Sequence, residues 1–119
     1  MNWKKAEILI RHNIFAGTKL DSRTVMEGPD FPCWGYDYNG TPGFKIKIGT
    51  TTFIEIPFIM LQTVYSDAIV NNRTYENKVF KNKYERQLKS HGCHVHVIGR
   101  LFEKAGVASQ VDKRRYKIL

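Results

Sequence analysis

Two hydrophobic periods alternate along this chain, and the switches between them mark its elements. Residues 3–14, WKKAEILIRHNI, set Trp3, Ala6, Leu9 and Ile10 at helical spacing, while Ile8 and Ile10 also alternate as in a strand; a helix is the preferred reading. Residues 16–32 show no clear period and carry Gly17, Gly28, Pro29 and Pro32, so they read as turns. Asn39-Gly40 and Pro42-Gly43 are further turn signals. Beyond them, Phe44-Lys45-Ile46-Lys47-Ile48 and Phe53-Ile54-Glu55-Ile56 alternate with period two on either side of Gly49-Thr50-Thr51-Thr52, which predicts a hairpin with one buried face. Pro57 stops the pairing and suits the first turn of a helix. In that helix Met60/Leu61, Val64/Tyr65 and Ala68/Ile69 recur every fourth residue up to about Val70, where Asn71-Asn72 end it.

The second half is helical, then extended. Phe80, Tyr84 and Leu88 form a stripe on a helix expected over 75–89, and Ser90-His91-Gly92 break it. A helix over 93–105 follows, with Val97/Ile98, Leu101/Phe102 and Ala105 facing inward and His96, Arg100, Glu103 and Lys104 outward. Gly106 reads as its left-handed cap, with Val107 as the apolar residue that often accompanies one. Two short strands around Asp112-Lys113-Arg114-Arg115 complete the chain. The fold class expected is α+β: one domain over 1–119, with a sheet-bearing half and a basic helical half that ends in a wing-like hairpin.

The 119 residues and 42% hydrophobic content permit one such domain with a core of its own. No apolar run approaches a membrane span and none follows a basic start as a leader would, so the protein is expected to be cytoplasmic and to have no membrane partner. Charge changes the picture more. Residues 1–70 hold seven Lys/Arg and seven Asp/Glu, whereas 71–119 hold twelve against four, so the whole excess of +8 lies in the C-terminal half. A one-sided basic half is the footprint of a polyanion binder. The competing reading is a solvated basic surface.

The run VIGRLFEKAGVASQVDKRRYKIL, a Gly-capped helix followed by a basic loop and an aromatic-apolar strand, resembles winged helix-turn-helix domains over the last 45 residues or so. That resemblance implies a second helix lying in the major groove and a hairpin touching the DNA backbone or minor groove. It departs from the family in having a single arginine, and Glu103, on the outward face of the reading helix. The run HGCHVHVIGRLFEKAGV is also similar to one in uncharacterised small proteins of bacterial integron mobile gene cassettes, a group that implies no function. The residues expected at duplex DNA are Lys113, Arg114, Arg115 and Lys117 on the hairpin, His96, Arg100 and Lys104 on the last helix, and Arg86 and Lys89 before the break. Lysine and arginine neutralise phosphates, and arginine also reads guanine. The function expected is non-catalytic DNA binding by a small bacterial regulator. A homodimer is expected because the apolar face of helix 58–70 is wider than one core stripe needs.

Other chemistry is less well marked. His91, Cys93, His94 and His96 are suited to zinc, Cys93 and His96 would share a helix face, and Cys33 would be a distant third ligand, but the spacing matches no zinc signature. The expectation is no metal and no cofactor, with Cys93 a small buried hydrophobe and His94 bordering the core. No Ser/His/Asp motif, glycine-rich phosphate loop or carboxylate pair is present, which points away from an enzyme. Cys33 as a nucleophile lacks any placed base. The alternative function is an oligomeric small-ligand binder with an aromatic pocket from Phe31, Trp34, Tyr36 and Tyr38, weighed against plain packing of those rings onto a sheet.

Overall fold

The apolar run behind Pro57 becomes the helix around which the fold is assembled. The computed structural model describes every residue except Tyr36. Its elements are α1 (Trp3–Asn13), β1 (Lys19–Leu20), β2 (Arg23–Cys33), β3 (Thr41–Lys47), β4 (Phe53–Pro57), α2 (Phe58–Val70), β5 (Thr74–Tyr75), α3 (Asn77–Ser90), α4 (Cys93–Ala105), β6 (Ala108–Asp112) and β7 (Arg115–Ile118). Pro57 ends β4 and stands at the N-cap of α2 rather than inside its first turn. Without a capping side chain or a charge complementing either end, α2 is held by packing rather than by its own propensity. It touches α1, α3, β3, β4 and β5, and buries Phe58, Met60, Leu61, Val64, Tyr65 and Ala68. Most of the apolar face whose breadth argues for a dimer in the sequence is therefore covered from within the chain. Ile59 and Val70 are its exposed large hydrophobics.

The expected hairpin is β3–β4. Phe44↔Ile56 and Ile46↔Ile54 are opposed on the core face, and Lys45↔Glu55 and Lys47↔Phe53 on the other. Residues 16–32, read as turns, instead form β1 and the long β2, giving a four-stranded antiparallel sheet in the order β1-β2-β3-β4. β2 hides from a period count because its register against β3 shifts between Val25 and Glu27 and again between Glu27 and Phe31. Beyond Thr24 it has β3 on one side and no β1 partner on the other, the edge position in which Pro29 and Pro32 are tolerated.

The second sheet is three-stranded, β5-β7-β6, all antiparallel. Its hairpin β6–β7 was expected; the two-residue β5 was not. α3 begins at Asn77 rather than at 75 and is broken at Tyr84 (φ −129°, ψ 43°), with no proline or glycine in it to account for the break. One buried cluster runs through both halves. A chain of ring contacts, Trp3–Tyr65–Phe102–Tyr75–Tyr116, links α1 to the C-terminal hairpin with centroids 5.7–6.4 Å apart. The result is a single α+β domain. Among the described residues no helix is long and apolar enough to cross a membrane.

Candidate nucleic-acid interface

The helix expected to read bases is largely buried. His94, Val97, Ile98, Gly99, Leu101, Phe102 and Ala105 of α4 are all inside, packed by α1, α3, β1, β6 and β7. Gly106 caps it with φ 81°, and its N–H meets the carbonyls of Glu103 and Phe102. Gly99 is the notch on which the hairpin sits: the ring of Tyr116 occupies the space that a Cβ there would need. Tyr75 of β5 fixes the other end of α4, its hydroxyl donating to the Val95 carbonyl at 3.0 Å. His94, 5% exposed, stacks on Phe80 with centroids 5.5 Å apart, and its Nδ1–H donates to the His91 carbonyl at 2.9 Å. Burial of that ring lowers its pKa below the ordinary histidine value.

The narrow outward face of α4 is already engaged. Arg100 Nη1 donates to Glu103 Oε1 at 3.0 Å and to Gln110 Oε1 of β6 at 3.1 Å, and its Nε to His96 Nε2 at 3.4 Å. That network fits the neutral His96 tautomer with its proton on Nδ1, 3.1 Å from the Tyr116 hydroxyl. Asp21, in the β1–β2 turn, lies beside them with Oδ2 at 3.8 Å from His96 Nε2. Burial, then the positive charges of Arg100 and Arg23, lower the His96 pKa, and Asp21 opposes them. The hydrogen bond to Glu103 keeps Arg100 charged even more firmly than usual. Two carboxylates, Glu103 and Asp21, therefore lie beside the one arginine that the sequence offers for base reading. Sequence reasoning missed Asp21, Gln110 and Tyr116 as partners in this network, because only the fold brings them to α4.

The hairpin tip is open. Lys113 and Arg114 are exposed and make no ion pair with the described residues, although the Arg114 N–H donates to Asp112 Oδ1 at 3.0 Å. With His96, Tyr116, Val95, Gly92 and Asn77 they line a groove of about 320 Å³ against the starts of α3 and α4. Compared with protein-family models, curated proteins and solved structures, the chain matches none. Arg115, also expected at DNA, is held by Asp112, with Nη2 at 2.6 Å and Nε at 2.7 Å from Oδ2. Lys117 lies on the other side, its Nζ donating to the Asn72 carbonyl at 2.8 Å. Lys104 is exposed near the far end of α4. Lys89 faces Glu85 at 3.8 Å, and Arg86 is exposed on the second half of α3.

The remaining candidates are scattered. Among the described residues no three His, Cys, Asp or Glu side chains are grouped to hold a metal, and Cys33, His91, Cys93 and His96 do not form one centre. Cys33 is buried on the sheet, and desolvation first, then Glu55, push its thiol up to about 12, which makes it a poor nucleophile. The described aromatic residues of 31–38, namely Phe31, Trp34 and Tyr38, make different contacts. Phe31 packs with Lys45 (5.7 Å from Nζ to the ring centre), the exposed Trp34 lies over Gly40, and Tyr38 is buried, its hydroxyl accepting from Gln87 at 3.2 Å. Tyr36 lies outside the described residues.

Proposed function

We propose that this protein is a non-catalytic, duplex DNA-binding module whose C-terminal half works as a winged helix-turn-helix and grips the phosphate backbone more than it reads bases. The resemblance rests on the order helix, turn, helix, hairpin, and α3, α4, β6 and β7 follow that order, with β5 adding a third strand. The observation that carries the proposal is the groove at the hairpin tip, where the exposed Lys113 and Arg114 converge with His96 and the starts of two helices. Neither cation makes an ion pair with the described residues, although Asp112 and Glu76 stand nearby, and exposed cations of this kind release counterions when they meet phosphates. Helix N-termini add favourable positive potential to the same groove.

The backbone mode follows from what α4 cannot offer. Base-edge discrimination needs an arginine or amide free to present a bidentate face, and Arg100 uses its Nε and Nη1 donors on His96, Glu103 and Gln110, which leaves Nη2 without the second nitrogen that a bidentate contact needs. Fluorescence anisotropy with two duplexes of unrelated sequence at low salt tests this. Similar affinity for both supports the proposal. A thousandfold preference for one, on the order of a specific operator site, would overturn the backbone mode, and no binding to either would overturn the function.

A further inference from the structure

A second concave site lies on the other flank of α3, around the break at Tyr84. A cavity of about 630 Å³ opens there between α2, α3 and the segment from Asp37 to Thr41. That is within the range of small-molecule sites, about 300–1,000 Å³. We propose that it binds a neutral, planar heteroaromatic molecule of nucleoside size. The ring of Tyr84 and the side chain of Ile59 supply apolar surface, and Ile59 is 53% exposed although it sits on the helix at the centre of the core. An exposed isoleucine beside a half-buried tyrosine gives a flat molecule an apolar face to cover.

The polar lining fits the edge of such a molecule. Asn82 and Gln87 offer amides, each with donors and an acceptor, as the hydrogen-bonding edge of a nucleobase requires. The Asn82 side chain makes no hydrogen bond with the described residues, and Gln87 uses one donor on Tyr38. Thr41 and Thr63 stand on the same walls, and the buried Thr41 hydroxyl has no partner among the described residues. The charges at the rim, Asp37 and Glu85 against Lys83 and Arg86, cancel. Lys83 is further held by Asp67 at 3.1 Å. No surplus of positive charge is left to hold a phosphate, so a nucleoside fits better than a nucleotide.

The test needs no DNA, so it stands or falls apart from the function proposed above. Adenosine and cytidine are titrated into the full chain while the methyl signals of Ile59, Thr41 and Thr63 are followed by NMR. The result expected is saturable shifts at these methyls with at least one nucleoside, at a Kd on the order of a millimolar or below. Ile59→Trp, which fills the cavity from an exposed position, and Asn82→Leu, which removes the exposed amide, should each weaken binding about tenfold or more with the melting temperature unchanged. The absence of saturable shifts with both nucleosides, shifts centred elsewhere, or unaltered binding by the two folded variants would overturn the proposal.

Discussion

Replacing Gly99 by alanine would test how the hairpin is seated on α4. An ideal Cβ there would overlap Cε1 of Tyr116 and lie 2.5 Å from its Cζ and 2.6 Å from its Cδ1, where carbon atoms ordinarily approach to about 3.5–4.0 Å. The ring has little room to yield. It is 1% exposed, lies 6.3 Å from Tyr75 and 6.4 Å from His96 between centroids, and its hydroxyl meets His96. Overpacking costs about 1–3 kcal/mol, and a contact this short belongs at the upper end. Removing a glycine from a helix interior returns about 1 kcal/mol through propensity, so the net destabilisation expected is about 2 kcal/mol in urea denaturation with an unchanged m value. Gly92→Ala is the control, since its nearest neighbour is the Leu88 carbonyl oxygen at 3.7 Å and its backbone is right-handed helical; it should be neutral or slightly stabilising. Tyr116→Leu should absorb part of the cost of Gly99→Ala, leaving a coupling of about 1 kcal/mol in a double-mutant cycle. A Gly99→Ala protein as stable as the wild type would refute the seating described here.

Stability should fall as pH drops below about 6.5: His94 and His96 both have folded-state pKa values lowered by burial, so the unfolded chain takes up their protons first, and the loss levels off below the folded values. Urea midpoints across pH 5–8 check this, with His94→Gln expected to flatten part of the slope and His96→Gln part of the remainder. Arg100→Ala should cost about 1–2 kcal/mol of stability through its lost bonds to Glu103 and Gln110 while leaving relative affinity for different DNA sequences unchanged; a change in sequence preference in an anisotropy competition would count against the closed face of α4. Thr41→Val should be neutral or stabilising by up to about 1 kcal/mol in thermal melts, because its buried hydroxyl has no partner to lose.

Elements with one continuous apolar face were legible in the sequence. α2, α4 and the β3–β4 hairpin each repeat at a fixed period because one side of each is buried against the same core, whereas α1 carried a strand-like alternation beside its helical one and the β6–β7 hairpin was marked by its basic turn rather than by a period. β2 was not legible, since shifting register scrambles its alternation, and β5 is too short to have a period at all. The break in α3 leaves no composition signal, because no proline or glycine marks it. The polar face of α4 was correctly placed outward, yet its chemistry depends on Asp21 and Gln110, which only tertiary structure brings beside Arg100 and His96. Arg115 and Arg114 look alike in sequence and differ in the structure, because the side chain of Asp112 takes the one guanidinium and only the backbone N–H of the other.

The central claim is that Lys113 and Arg114 hold DNA phosphates, and a salt series tests it most directly. The affinity of the wild type for duplex DNA should fall linearly on a log–log plot against salt. The doubly substituted Lys113→Ala, Arg114→Ala protein should show that slope reduced by about 2, near one per lost phosphate contact, and equally on unrelated sequences. Both residues are exposed, so its stability should change by less than about 1 kcal/mol. A folded double variant that keeps the wild-type slope, or a wild type that does not bind duplex DNA at low salt, would contradict the account.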